Sequence, residues 1–192
     1  MNKTTQSLLA AIADDDDTAA EHAALAFKNL GDSALPGLRD LLDSADDDER
    51  WWAVCALAAI GTPDAVTMLT SALEDPNPDV RACAVVALAG LKPPQAVEPL
   101  VARLADPSSY VARLAADGLA QFGAVAAPAL IGALEEGEAV TRIGAARALN
   151  VIQPKEAIPA LIAALDDPSA AVTSYAEDAL EQMGVGMVYF KP

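Results

Sequence analysis

The residues able to do chemistry are few and scattered. The chain carries one histidine, His22, and two cysteines, Cys55 and Cys83. Hydrolytic, metal and thiol–imidazole sites need several such groups converging on one point, and this set does not supply them. The two cysteines have neither the number nor the spacing of a disulfide framework or a zinc site. Two acidic runs stand out, residues 14–17 (DDDD) and 46–49 (DDDE). The first lacks the glycine that lets a calcium loop turn sharply. Its simple reading is a solvated loop whose Asp17 or Thr18 caps a helix. The second run places negative charge before a helix N-terminus, where the backbone dipole favours it. Both tryptophans, Trp51 and Trp52, follow directly. No catalytic, cofactor-binding or metal-ligating residue is assigned, and no cofactor is expected.

Composition narrows the partners. The chain has 192 residues, 53% of them hydrophobic but only 4% aromatic, so alanine and leucine must do most of the packing. That favours closely packed helices over sheets. The formal charge of −16 repels nucleic-acid backbones and anionic membranes and suits a basic or neutral protein partner. Residues 1–50 hold 12 acids and four bases, which is half of that charge. Charges interrupt every apolar run well short of a membrane span, and no secretory leader is visible. The expectation is a cytoplasmic protein in a reducing compartment, with no nucleic acid, no membrane and an oligomeric state that the sequence leaves open.

The elements that must carry these residues follow from self-comparison. Residues 75–88 (DPNPDVRACAVVAL), 106–119 (DPSSYVARLAADGL) and 167–180 (DPSAAVTSYAEDAL) are versions of one line. A first ladder, Phe27, Leu57, Leu88, Leu119, Leu149 and Leu180, advances by 30 or 31 residues. A second, Ile12, Leu42, Leu73, Leu104, Leu134 and Leu165, runs in step, each rung 15 residues before a rung of the first. Apolar residues recur at three- and four-residue steps within each half-period, as in Val66, Leu69 and Leu73, so each period holds two amphipathic helices. About twelve short helices, six of each kind, are expected. They form one all-α, right-handed superhelical array over residues 1–184, starting partway through a unit and without a domain break. The tail, residues 185–192, abandons the repeat. Its apolar cluster, Met187, Val188, Tyr189 and Phe190, reads as a cap on the open end of the array or as a docking segment.

The columns of the repeat assign structural roles. Thirteen residues before each first-ladder rung stand Asp14, Ser44, Asp75, Asp106, Glu136 and Asp167, short acceptors for free backbone amides at helix boundaries in most repeats. Proline follows at Pro76, Pro107 and Pro168, stopping the preceding helix. Seven before the rung stand Arg50, Arg81 and Arg142, expected to bond acids or carbonyls between units. Trp51 shares a column with Glu21, Ala82, Arg113, Ile143 and Ser174, so it is expected to face solvent at least partly. Trp52 shares a column with His22, Cys83, Leu114, Gly144 and Tyr175 and is expected to pack inward. His22 is expected to be a partly buried packing residue. The candidate protein-binding residues are Trp51, Tyr110, Asp47, Asp48, Glu49, Tyr189 and Phe190. The repeat positions expected to be structural are Asp75, Arg81, Asp106, Arg142 and Asp167.

Asp75, Val80, Arg81, Ala84, Ala87 and Leu88, followed by Ala96, Leu100 and Leu104, resemble the short HEAT-like repeats associated with phycobilisome lyases. The resemblance spans about residues 5–184. It implies a solenoid whose second helices line a concave face. Such repeats occur in bilin lyases, in di-iron hydroxylases and in many adaptors. The hydroxylases' repeated His–Glu iron ligands are missing, because the columns equivalent to His22 hold Trp52, Cys83, Leu114, Gly144 and Tyr175. The expected function is a non-enzymatic scaffold or adaptor that holds another protein. The alternative is a bilin lyase or chromophore-chaperone subunit, with Trp51, Trp52 or Tyr110 stacking on a tetrapyrrole and an Asp or Glu protonating it.

Overall fold

The computed structural model describes residues 3–185. Its described residues form twelve α-helices, with no strand among them. The chain divides into two compact units, Met1–Pro93 and Pro94–Pro192. The first contains α1 (Lys3–Ala13), α2 (Asp17–Ala26), α3 (Leu35–Leu42), α4 (Asp47–Ile60), α5 (Pro63–Ser71) and α6 (Pro78–Leu91). The second contains α7 (Val97–Ala102), α8 (Ser109–Gln121), α9 (Ala127–Glu136), α10 (Ala139–Ile152), α11 (Ile158–Ala163) and α12 (Ala170–Gln182). Even-numbered helices are the first kind and odd-numbered helices the second, six of each as the period requires. Within the units, α4 packs on both α2 and α6, and α10 packs on both α8 and α12.

The first ladder is the core seam. Phe27, Leu57, Leu88, Leu119, Leu149 and Leu180 are all buried. One turn earlier on the same helices lie Ala23, Ala53, Ala84, Ala115, Ala145 and Ala176, also buried. Alanine there lets neighbouring backbones approach closely, so a chain poor in aromatics still fills its interior. The second ladder is displaced by a turn from the true seam of the odd-numbered helices. Leu73, Leu104 and Leu134 are buried, but Ile12, Leu42 and Leu165 are half-buried. The rung that is buried in every repeat is Leu8, Leu38, Leu69, Leu100, Leu130 and Leu161, four residues earlier.

Helix starts obey local chemistry, and the acceptor column takes up free backbone amides as expected. The aspartate column does not cap. Asp75, Asp106 and Asp167 each accept the amide two residues on, from Asn77, Ser108 and Ser169, all at 2.8 Å. Ser44 does the same for Asp46 at 3.1 Å. These bonds close the connecting turn, and the cap lies two residues later. Asp46 accepts from Asp48 and Glu49, and Asn77 from Asp79. In the DDDD run the cap is Asp16, bonded to the Ala19 amide at 2.9 Å, rather than Asp17 or Thr18. Helix α4 consequently begins at Asp47, four residues before Trp51.

The even-numbered helices end on a second column, four residues after the first ladder. Gly31, Gly61, Lys92, Gly123, Gln153 and Gly184 all have positive φ, between 52° and 75°. This left-handed conformation ends the helix and costs an L-residue about 1 kcal/mol, which explains glycine in four of six copies. The two 30-residue periods also find their cause here. After Gly61, Lys92 and Gln153 a proline enters the connector, whereas Gly31 and Gly123 begin single 3-10 turns with no proline.

Candidate functional site

Connecting turns are held by arginines. Arg50, which is buried, donates from Nε to Oδ2 of half-buried Asp75 at 2.8 Å and from Nη2 to Oδ1 at 3.1 Å. Its Nη1 reaches the Ser44 carbonyl at 3.0 Å. Arg142 repeats the arrangement with Asp167, at 2.6 and 3.2 Å, and with the Gly137 carbonyl at 3.0 Å. Arg81 Nη1 donates to the carbonyls of Asp75 and Pro76. Each guanidinium thus fastens its own turn, and Arg50 and Arg142 also fasten the turn of the following repeat through a planar fork. The Asp75 carboxylate holds the Arg50 guanidinium above its ordinary value. The Arg142 guanidinium holds the Asp167 carboxyl below the usual carboxylate range.

In the first unit this framework leaves a groove of about 370 Å³ along α3 and α5. Leu42, Met68 and Ala72 give it an apolar floor, and Arg39, Asp43, Thr67 and Glu74 stand around it. Asp43 and Glu74 are exposed. Leu42 is the rung of the second ladder that this opening leaves half-buried.

The even-numbered helices present a different face. Two residues before the first-ladder rung, the first unit has Leu25, Cys55 and Val86. Leu25 and Val86 are 57% and 56% exposed, and so make an apolar ridge. The equivalent positions of the second unit are Asp117, Arg147 and Asp178. Arg147 Nε and Nη2 grip Asp117 Oδ1 at 2.9 and 2.8 Å, and Nη1 donates to Tyr175 Oη at 3.4 Å. The same position is therefore apolar at Leu25 and Val86 in one unit and charged in the other, where Asp117 and Arg147 pair.

The sequence-derived candidates fall on these surfaces unevenly. Trp51 is half-exposed and Trp52 buried, their rings edge-to-face with centroids 4.7 Å apart. Asp47 is not a free acid. Asn77 Nδ2 and Arg50 Nη2 both donate to it, which holds its carboxyl below the ordinary value, the Asn77 bond first. Asp48 is exposed and Glu49 half-exposed, on the first turn of α4. Tyr110 is exposed on α8 in the second unit, with the Arg113 guanidinium 5.6 Å from its ring centre. Tyr189 and Phe190 lie outside the described residues. His22 is exposed rather than partly buried, because among the described residues no even-numbered helix lies before α2 to cover it.

Sequence reasoning missed two features. The groove depends on the separation of α3 and α5, which no spacing reveals. The number and spacing of Cys55 and Cys83 suggest no disulfide framework, yet their sulfurs are 3.6 Å apart. The signal was their 28-residue separation, the same as Arg147 to Tyr175, which marks side chains meeting across neighbouring even-numbered helices. Among the described residues no group of three or more His, Cys, Asp or Glu is placed to hold a metal ion, and no helix is long and apolar enough to cross a membrane.

Paired helices repeating in register on a leucine–alanine seam define an α-solenoid repeat protein. HEAT repeats match residues 5–76, 35–120, 68–150 and 97–181, and the chain belongs to that family. A crystal structure of an engineered protein is 26% identical, with a TM-score of 0.51, covering 97% of this chain and 98% of that one. The complex of CpcE and CpcF of phycocyanin lyase from Nostoc sp. PCC7120 is 29% identical, with a TM-score of 0.53, over 79% of this chain and 65% of that one. A designed armadillo repeat protein in complex with a peptide is 21% identical, with a TM-score of 0.50, over 93% and 97% of the two chains, a likeness of fold alone. No curated protein matches the chain.

Proposed function

We propose that the protein is a non-enzymatic adaptor that holds an extended, basic segment of another protein in the groove between α3 and α5. The observation that carries this reading is the groove itself, an apolar floor of Leu42, Met68 and Ala72 bordered by the exposed carboxylates of Asp43 and Glu74, which outnumber the one cation in its lining, Arg39. Lysine and arginine stems cover apolar surface while their charged heads meet acids, which is the chemistry this groove offers. The charge of −16, half of it in residues 1–50, adds long-range attraction for such a segment. The unbroken period, together with a family match across residues 68–150, supports reading residues 1–184 as one repeat array. Titrating a labelled lysine-rich peptide tests the groove. Binding is expected to weaken as salt rises and to fall at least about tenfold in the Asp43→Lys/Glu74→Lys variant. A peptide that binds wild type and variant alike removes this reading.

A second reading, a bilin lyase or chromophore-chaperone subunit, is supported by the 29% identity to the CpcE and CpcF complex. Its test is absorbance and adduct formation with a panel of bilins and apoproteins. No spectral change and no adduct across the panel would end it.

A further inference from the structure

We infer that Cys55 and Cys83 form an oxidisable pair, which a peroxide converts into a disulfide joining α4 to α6. These are the only cysteines of the chain. They lie on consecutive even-numbered helices with Sγ atoms 3.6 Å apart, and both are free and half-buried. A disulfide needs the sulfurs at about 2.0 Å, so closure asks for rotation of two short side chains and a small approach of the helices. The fold supplies the alignment. The 28-residue register that brings them together is the one that brings Arg147 to Tyr175 in the second unit, so it aims side-chain tips at each other across neighbouring repeats. Partial exposure leaves a route for a small oxidant, which a sealed core thiol would not have.

The pair also divides its protons unequally. One hydrogen bond links the two sulfurs, and either sulfur can be its donor; it makes the Cys83 thiol easier to ionise, while that same bond, burial and the charges of Cys83 and Glu21 push the Cys55 thiol up. Cys83 is then the attacking thiolate. It takes one peroxide oxygen, breaking the O–O bond, and the departing hydroxide is protonated to water. The sulfenic acid formed on Cys83 is attacked by the Cys55 sulfur, the S–O bond breaks, and the Cys55 proton leaves with that oxygen as a second water. Two thiols supply two electrons, hydrogen peroxide accepts them, and the products are one disulfide and two waters.

The test uses the full-length protein, reduced and then treated with stoichiometric hydrogen peroxide. Intact mass should fall by two hydrogens in the monomer, both thiols should become unreactive to alkylation, and a dithiol reductant should restore them. Peptide mapping should join the segment holding Cys55 to that holding Cys83. The native protein should close the bond at least about tenfold faster than the urea-unfolded chain, because the fold pre-positions the thiols. Cys55→Ser and Cys83→Ser should each yield only oxygen adducts or dimers between molecules. Wild-type protein that gains oxygen on each cysteine, links only between molecules, or closes no faster folded than unfolded overturns the inference.

Discussion

Replacing Arg50 with alanine separates a buried clamp from a surface ion pair. The Arg50 and Asp75 side chains are 9% and 8% exposed. The substitution removes both bonds to Asp75, the bond to the Ser44 carbonyl and the bond to Asp47. It leaves the Asp75 carboxylate buried, with the Asn77 amide still donating to it. Bonds to charged groups are worth about 1.5–3 kcal/mol each, and breaking a buried pair costs about 3–5 kcal/mol. The turn carrying Asp75 is flanked by exposed Glu74 and Pro76, so water can partly replace the lost donor. The expected cost is therefore near the bottom of that range, about 3 kcal/mol, or roughly 6–12 °C in Tm for a chain of this size. Urea unfolding followed by circular dichroism, with a thermal melt in parallel, measures it. The control is Arg113→Ala, which breaks the 3.7 Å pair to Asp117 between side chains 53% and 38% exposed. Its expected cost, with the lost contact to the exposed Tyr110 ring included, is at most about 1 kcal/mol. Equal losses in the two variants, or less than about 1 kcal/mol for Arg50→Ala, would show that the clamp is an ordinary solvated pair.

Four further outcomes follow. Gly144→Ala should destabilise by about 1–3 kcal/mol through overpacking, because its new Cβ would lie 2.8 Å from Leu104 Cδ2. Gly90→Ala on α6 meets nothing within 4 Å, and should stabilise by up to about 1 kcal/mol through helix propensity; denaturant midpoints report both. Asp167 is depressed by Arg142, so its contribution is complete above the unfolded carboxylate pKa of about 4 and is lost as pH falls through the lower folded value. Stability measured from pH 7 to pH 2 should accordingly fall less steeply below pH 4 in Arg142→Ala than in wild type. Trp51→Ala, which removes the half-exposed ring on α4, should weaken capture of a protein partner while leaving Tm nearly unchanged; a large Tm loss with intact capture would assign the ring to packing.

Much of the fold was legible because repetition averages out local ambiguity. A single leucine at 88 says little, but six rungs from Phe27 to Leu180 name a seam, and all six are buried. In the odd-numbered helices the second ladder is not the rung that is buried in every repeat, for a physical reason. Leu38 and Leu42, like Leu69 and Leu73, are four residues apart on one face, so period alone cannot say which faces the neighbour and which borders a groove. The arginine column was readable as inter-repeat bonding, since a guanidinium beside connecting turns has acids and carbonyls within reach. The positive-φ column was hidden by Lys92 and Gln153 standing where other repeats have glycine. The groove was not legible, because it depends on a distance between helices rather than on positions along one, and the 28-residue signal of the thiol pair has meaning only once the register between helices is known.

The measurement closest to the central claim is amide hydrogen exchange of the protein, alone and saturated with a lysine-rich peptide at low salt. The account predicts slowed exchange in α3 and α5, with the effect lost in Asp43→Lys/Glu74→Lys. Protection confined to other helices, or none at saturation, contradicts it.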